Sequence, residues 1–175
     1  MRRLIASLVV LLAAAACVAT TLEQLSLDDM IRQSRFIVRG QVTASWAEQR
    51  GSMIYTLYRV AVAEQLKGAA QPSIDLAVPG GLSNGLRQVI PGAPRLASGP
   101  EYVFFVWVSP KGVKQIIGLS QGVFDVKLDG AGERVLVRGP IEAALVDAKG
   151  RSLADSGLRL TWRGLADQVR RLEQR

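Results

Sequence analysis

Tyr102-Val103-Phe104-Phe105-Val106-Trp107-Val108 is an unbroken apolar run, with Gly99-Pro100 before it and Ser109-Pro110-Lys111-Gly112 after it. Aromatic and β-branched residues between turn signals predict a strand covered on both faces, the most buried in the chain. Such a strand needs others beside it, and the flanking sequence supplies them.

Upstream, Phe36, Val38, Gly40, Val42, Ala44 and Trp46 alternate with Ile37, Arg39, Gln41, Thr43 and Ser45, the pattern of a half-buried strand. Glu48 to Ser52 is polar, contains Gly51 and suits a turn. Ile54 to Leu66 forms the next strand, with Ile54, Thr56, Tyr58, Val60 and Val62 on one face and Lys67-Gly68 at its end. Ile74, Leu76 and Val78 make a third, stopped by Pro79-Gly80-Gly81. Downstream, Val113 to Leu119 and Val123 to Leu128 give one or two strands, broken or bulged near Gln121-Gly122. Asp129-Gly130-Ala131-Gly132 then turns into Val135-Leu136-Val137.

Helices are expected at both ends. Ser26 caps a short one running to about Ser34, with Asp29 at its third position. Thr161 caps another, in which Trp162, Leu165, Val169 and Leu172 recur at helical spacing. Residues 139–158 are less regular. Short strands with turns about every ten residues indicate a closed barrel or a sandwich. The expected fold is mainly β: a small OB-like β-barrel over residues 20–148, with a short N-terminal helix, followed by a basic, amphipathic C-terminal helix or tail over 149–175.

Residues 1–19 read as a signal peptide. Arg2 and Arg3 precede a run of apolar and small residues from Leu4 to Val18, interrupted only by Ser7, and the alanines offer cleavage sites after Ala16 and after Ala19. The run falls short of the roughly 20 apolar residues of a membrane-spanning helix. The expected location is therefore periplasmic or secreted. Cys17 is the only cysteine, so the chain has no intrachain disulfide. It follows Ala14-Ala15-Ala16 and resembles the lipidated cysteine of bacterial lipoproteins, with Ala14 where that motif has a large aliphatic residue. Acylation there would anchor the protein to a membrane.

The net charge of +7 is unevenly placed. Residues 20–148 carry 13 basic and 12 acidic side chains, and residues 149–175 carry seven and three. The excess belongs to the C-terminal segment, which could meet an anionic lipid surface. No interleaved aromatics accompany it, so nucleic acid is not an expected partner.

Several segments carry a resemblance. They are Ile37-Val38-Arg39-Gly40-Gln41-Val42, Val62-Ala63-Glu64-Gln65-Leu66-Lys67-Gly68, Val78-Pro79-Gly80-Gly81, Gly99-Pro100-Glu101-Tyr102-Val103-Phe104-Phe105 and Gln121-Gly122-Val123-Phe124. Together, from Phe36 to Leu128, they resemble parts of bacterial exported proteins of unknown role. Their order is also similar to the OB-type barrel of netrin-like and metalloproteinase-inhibitor domains. The resemblance implies the barrel. Inhibition in that family runs through an N-terminal cysteine held in a disulfide framework, and Cys17 has no partner cysteine.

The chain has no histidine, which removes His-based triads, Cys–His nucleophiles and His metal sites. Ser120 with Lys67 or Lys114 is the one nucleophile–base pairing that needs none. No cofactor or metal is expected. Residues 79–100 form a long Gly/Pro segment of the kind that often carries function. Ser83, Asn84, Arg87 and Arg95 decorate it, and Trp46 lies at the end of the first strand. These five are the candidate binding residues of a non-catalytic interaction module whose partner is a protein or glycan outside the cytoplasm. An envelope lipoprotein with a structural role and an inhibitor of an exported protease are the alternatives.

Overall fold

The computed structural model describes residues 21–141 and 143–174. The expected signal peptide and Cys17 lie outside these residues. The described chain is mainly β, with thirteen strands and two α-helices. In order, the elements are β1 (Thr21–Glu23), α1 (Leu27–Gln33), β2 (Phe36–Arg50), β3 (Met53–Lys67), β4 (Ser73–Pro79), β5 (Gly81–Ser83), β6 (Leu86–Gln88), β7 (Glu101–Val108) and β8 (Lys114–Ile116). A 3-10 turn (Leu119–Gly122) leads to β9 (Val123–Leu128), β10 (Arg134–Arg138), β11 (Ala144–Val146), β12 (Ser152–Leu153), β13 (Leu158–Thr161) and α2 (Trp162–Glu173).

The main sheet has the order β13-β10-β9-β7-β2-β3-β4, with β8 paired to the far half of β7. The strand pairs are antiparallel. As the unbroken apolar run predicts, β7 is central, and Tyr102 through Val106 are buried. Its side chains alternate between two cores. Val103 and Phe105 join Ile37, Phe124 and Leu136 beneath the helices. Tyr102, Phe104 and Val106 join Val38, Tyr58, Val60 and Leu76 on the concave face. Phe104, Phe105 and Phe124 have no exposed surface, and burial of each stabilises the fold by about 1.5–3 kcal/mol relative to exposure.

No sheet closes into the expected barrel among the described residues. β4 and β13 are the ends of an open path. β8 lies beside β4 without a ladder between them. Three residues, followed by the left-handed turn at Gly118 and Leu119, make β8 too short to bridge β7 and β4 along their length.

The half-buried pattern expected for β2 also changes along the strand. Ile37 through Gly40 are all buried, because α1 and α2 cover the outer face. Register shifts between Ile37 and Val38, Arg39 and Gly40, and Val42 and Ala44 then alter the phase toward Trp46. Gly40 is required at one of these shifts. A Cβ there would overlap the Ala61 carbonyl oxygen and meet Val60 Cγ1 at 2.9 Å.

Both helix caps form as the sequence indicates. Ser26 Oγ accepts from Asp29 N at 3.1 Å, and Thr161 Oγ1 accepts from Gly164 N at 3.0 Å. Both β13 and α2 lie beyond residue 148; β13 pairs with β10, and Trp162, Leu165 and Val169 of α2 enter the core.

Arg39 ties these layers together. Its guanidinium, 8% exposed, donates from Nε to Glu64 Oε2 at 3.0 Å and from Nη1 to Glu101 Oε1, and stacks over Trp162. Burial opposes the charged form. The hydrogen bonds to Glu101 and Glu64 outweigh it and hold the guanidinium pKa above its ordinary value.

Candidate functional site: an open groove at the end of the concave face

The Gly/Pro segment after β4 is pinned at both ends. Gly80 N donates to Ile54 O at 2.7 Å, and Thr56 Oγ1 donates to Gly80 O at 2.8 Å. Ile54 N donates in turn to Gln88 Oε1 at 2.7 Å, hanging the β5–β6 hairpin on the start of β3. Asn84 and Gly85 both take positive φ, the combination demanded by a two-residue type I′ hairpin turn. Across that turn Gly81 pairs with Gln88, Leu82 with Arg87 and Ser83 with Leu86. Farther on, Ser120 donates to Gly92 O from both its N (3.0 Å) and its Oγ (2.6 Å), and Ala97 N donates to Tyr102 Oη at 3.2 Å.

This segment forms one wall of a groove of about 1040 Å³. Tyr58, Val78 and Tyr102, members of the concave core, line its base. The opposite lip is Arg138 to Ile141. Asp155 holds that lip: it accepts from Arg138 Nη1 at 2.6 Å, Arg138 Nη2 at 3.1 Å, Ile141 N at 3.0 Å and Gly157 N at 3.1 Å. The Arg138 hydrogen bonds, with those from Gly157 and Ile141, overcome the cost of burial and hold the Asp155 carboxyl below its ordinary pKa.

The structure divides the five candidate binding residues. Arg87 and Arg95 both line the groove. Ser83 and Asn84 sit on the same hairpin but outside the lining, Asn84 in its turn. Trp46 stands apart on the β2–β3 ribbon, opposite Leu57 in register. The Arg59 guanidinium lies 5.3 Å from its ring centroid and is paired with Asp75 through two hydrogen bonds of 2.8 Å. The phase changes in β2 carry Trp46 away from the concave face.

Two features escape the residue pattern. Leu82 and Val89 are large aliphatic residues left 63% and 61% exposed on the groove wall. Apolar residues inside a Gly/Pro segment were the available signal for them. The Arg138–Asp155 clip joins positions 17 residues apart and has no local signature.

The Ser–Lys pairings are not assembled. Ser120 Oγ is committed to Gly92 O, Lys67 Nζ to Ile31 O and Glu173, and Lys114 Nζ sits over the Phe36 ring. Among the described residues, no three acidic, cysteine or histidine side chains cluster as metal ligands. On the polar face of α2, Arg163 pairs with Glu133 and Arg170 with Asp167, while Glu173 pairs with Lys67. No helix among the described residues is long and apolar enough to cross a membrane. No protein-family model and no curated protein matches the chain.

Proposed function

We propose that this chain is an exported, non-catalytic binding module, and that it holds its partner in the groove between the β5–β6 hairpin and the Arg138–Ile141 lip. Export rests on the Met1–Ala19 pattern. The observation that carries the binding reading is the groove itself. It is concave and built on the main sheet, members of the buried core line it, and it leaves Leu82 and Val89 in water. Other aliphatics are also exposed, Leu86 on the same hairpin among them, but Leu82 and Val89 lie together in the groove lining, where a bound partner would cover both.

The scaffold reading is an OB-type barrel left partly open. The strand sequence β2, β3, β4, β7, β8 supports it, because β8 pairs with β7 and lies beside β4, where a five-stranded barrel would close. Ligands of such barrels engage the sheet face and its adjoining loops, which is where the groove lies.

Retention from the envelope and secreted fractions of the source cells tests the reading. The wild-type protein is compared with the paired variant Leu82→Ser, Val89→Ser. Both positions are solvent-exposed, so the variant keeps its stability within about 0.5 kcal/mol. The wild type is expected to retain a partner that the variant releases. Identical retention by both proteins overturns the groove as the binding site.

A further inference from the structure

The electrostatics of the groove specify more than a place to bind. Among the described residues, its charged lining consists of Arg87, Arg95 and Arg138 with one carboxylate, Asp125. Arg138 is occupied by Asp155 inside the lip. Arg87 and Arg95 are exposed and form no ion pair among the described residues. Among the described residues, internal pairing therefore leaves two guanidiniums and one carboxylate in the lining.

The apolar contribution sits beside them. Leu82 is the register partner of Arg87 across the β5–β6 pair, so the two side chains share a face. Val89 lies two residues beyond Arg87, just past the end of β6. A cationic and an aliphatic contact surface are thus interleaved along one wall.

From this arrangement we infer that the ligand is an acidic peptide segment. Its carboxylates pair with Arg87 and Arg95, and its aliphatic side chains cover Leu82 and Val89. The inference rests on the groove being the binding site and names the chemistry of its occupant. Guanidiniums are suited to carboxylates because their planar fork can donate two parallel hydrogen bonds. A glycan fits less well. The aromatic rings in the lining, Tyr58 and Tyr102, are only 8% and 7% exposed, and Tyr102 Oη is engaged by Ala97 N, so no open ring is presented to a sugar face. The same absence of an open ring argues against single-stranded nucleic acid.

The test uses the purified protein and three defined probe sets. One is a set of hexapeptides composed of aspartate, glutamate, leucine, isoleucine and valine. The second is a matched set with asparagine and glutamine in place of the acids. The third is an oligomer of galacturonic acid. Affinities are measured by calorimetry, and the binding site is mapped by backbone amide shifts. The acidic peptides are expected to bind with shifts at residues 79–96 and 137–141, about tenfold more tightly than their amide counterparts. Arg87→Ala and Arg95→Ala should each weaken them about fivefold, the effect of a partly exposed ion pair. That margin should shrink in high salt. Arg87→Lys keeps the charge without the fork, and should fall between wild type and Arg87→Ala.

Equal affinity for acidic and amide peptides overturns the inference, as does tighter binding of the galacturonic acid oligomer. Failure of the acidic peptides to bind, or shifts confined to other surfaces, also overturns it. These results leave the groove reading standing, because that reading is decided separately by retention on the Leu82→Ser, Val89→Ser variant.

Discussion

Arg39→Ala should be among the most damaging single substitutions in the chain. Arg39 is where β2, β3, β7 and α2 meet: Glu64 is on β3, Glu101 on β7 and Trp162 on α2. Cutting a buried ion pair on one side typically costs about 3–5 kcal/mol, because the surviving charge is left without a partner. Here Glu64 is 48% exposed and Glu101 23% exposed, so both orphaned carboxylates recover water. That lowers the electrostatic part to about 2–3 kcal/mol. The guanidinium is also 5.5 Å from the Trp162 ring centroid, and loss of that contact adds about 0.5 kcal/mol. The total is about 3 kcal/mol, or about 6–12 °C in Tm for a domain of this size. Equilibrium unfolding in urea, followed by tryptophan fluorescence, reads the change directly. A companion variant carrying Arg39→Met, Glu64→Gln and Glu101→Gln removes all three charges and should recover more than half of the loss. A cost below about 1 kcal/mol for Arg39→Ala would show that the cluster is only a solvated surface pair.

Other parts of the fold give separate expectations. Asp155 has a carboxyl pKa depressed by Arg138, so its stabilising contribution is complete above the unfolded value of about 3.9 and is lost as pH falls through the folded value below it. Protection of the Ile141 and Gly157 amides against hydrogen exchange, relative to their intrinsic rates at each pH, should therefore fall below about pH 4, and Asp155→Asn should lower it already at neutral pH. Gly40→Ala drives a Cβ into the Ala61 carbonyl and should cost about 2–3 kcal/mol in thermal unfolding. Gln121, only 2% exposed, accepts from Leu25 N at 2.8 Å and donates to Glu23 O at 2.9 Å. Gln121→Leu strands both backbone groups at a cost of about 1–3 kcal/mol, and limited proteolysis should then cut preferentially at 21–26.

What could be read from residue order was short in range. The burial of β7 follows from seven apolar residues in a row, and both helix caps follow from a hydroxyl three positions ahead of the amide it accepts from. The Trp162, Leu165 and Val169 stripe is equally local. Features that depend on distant partners were not legible. Ile37 and Arg39 look like the polar-side members of a two-sided strand until α1 and α2 are seen to cover that side. β13 is four residues, Leu158-Arg159-Leu160-Thr161, and becomes a strand only by pairing with β10. Barrel closure depends on whether β8 is long enough to join β4, which no local signal states. Trp46 is displaced by register shifts that leave no mark on the apolar alternation. At the groove, Arg87 and Arg95 could be singled out because charged residues in a Gly/Pro segment stand out. The opposite lip could not, because Arg138 and Asp155 are individually ordinary.

Site-specific photo-crosslinking in the source cells tests the groove most directly. A photoreactive amino acid is placed in separate variants at Val89 on the groove wall, at Trp46 on the outer ribbon and at Arg171 on α2. A discrete crosslinked partner is expected from position 89 and none from positions 46 and 171. Crosslinks from position 46 or 171 with none from position 89 would contradict the groove as the binding site.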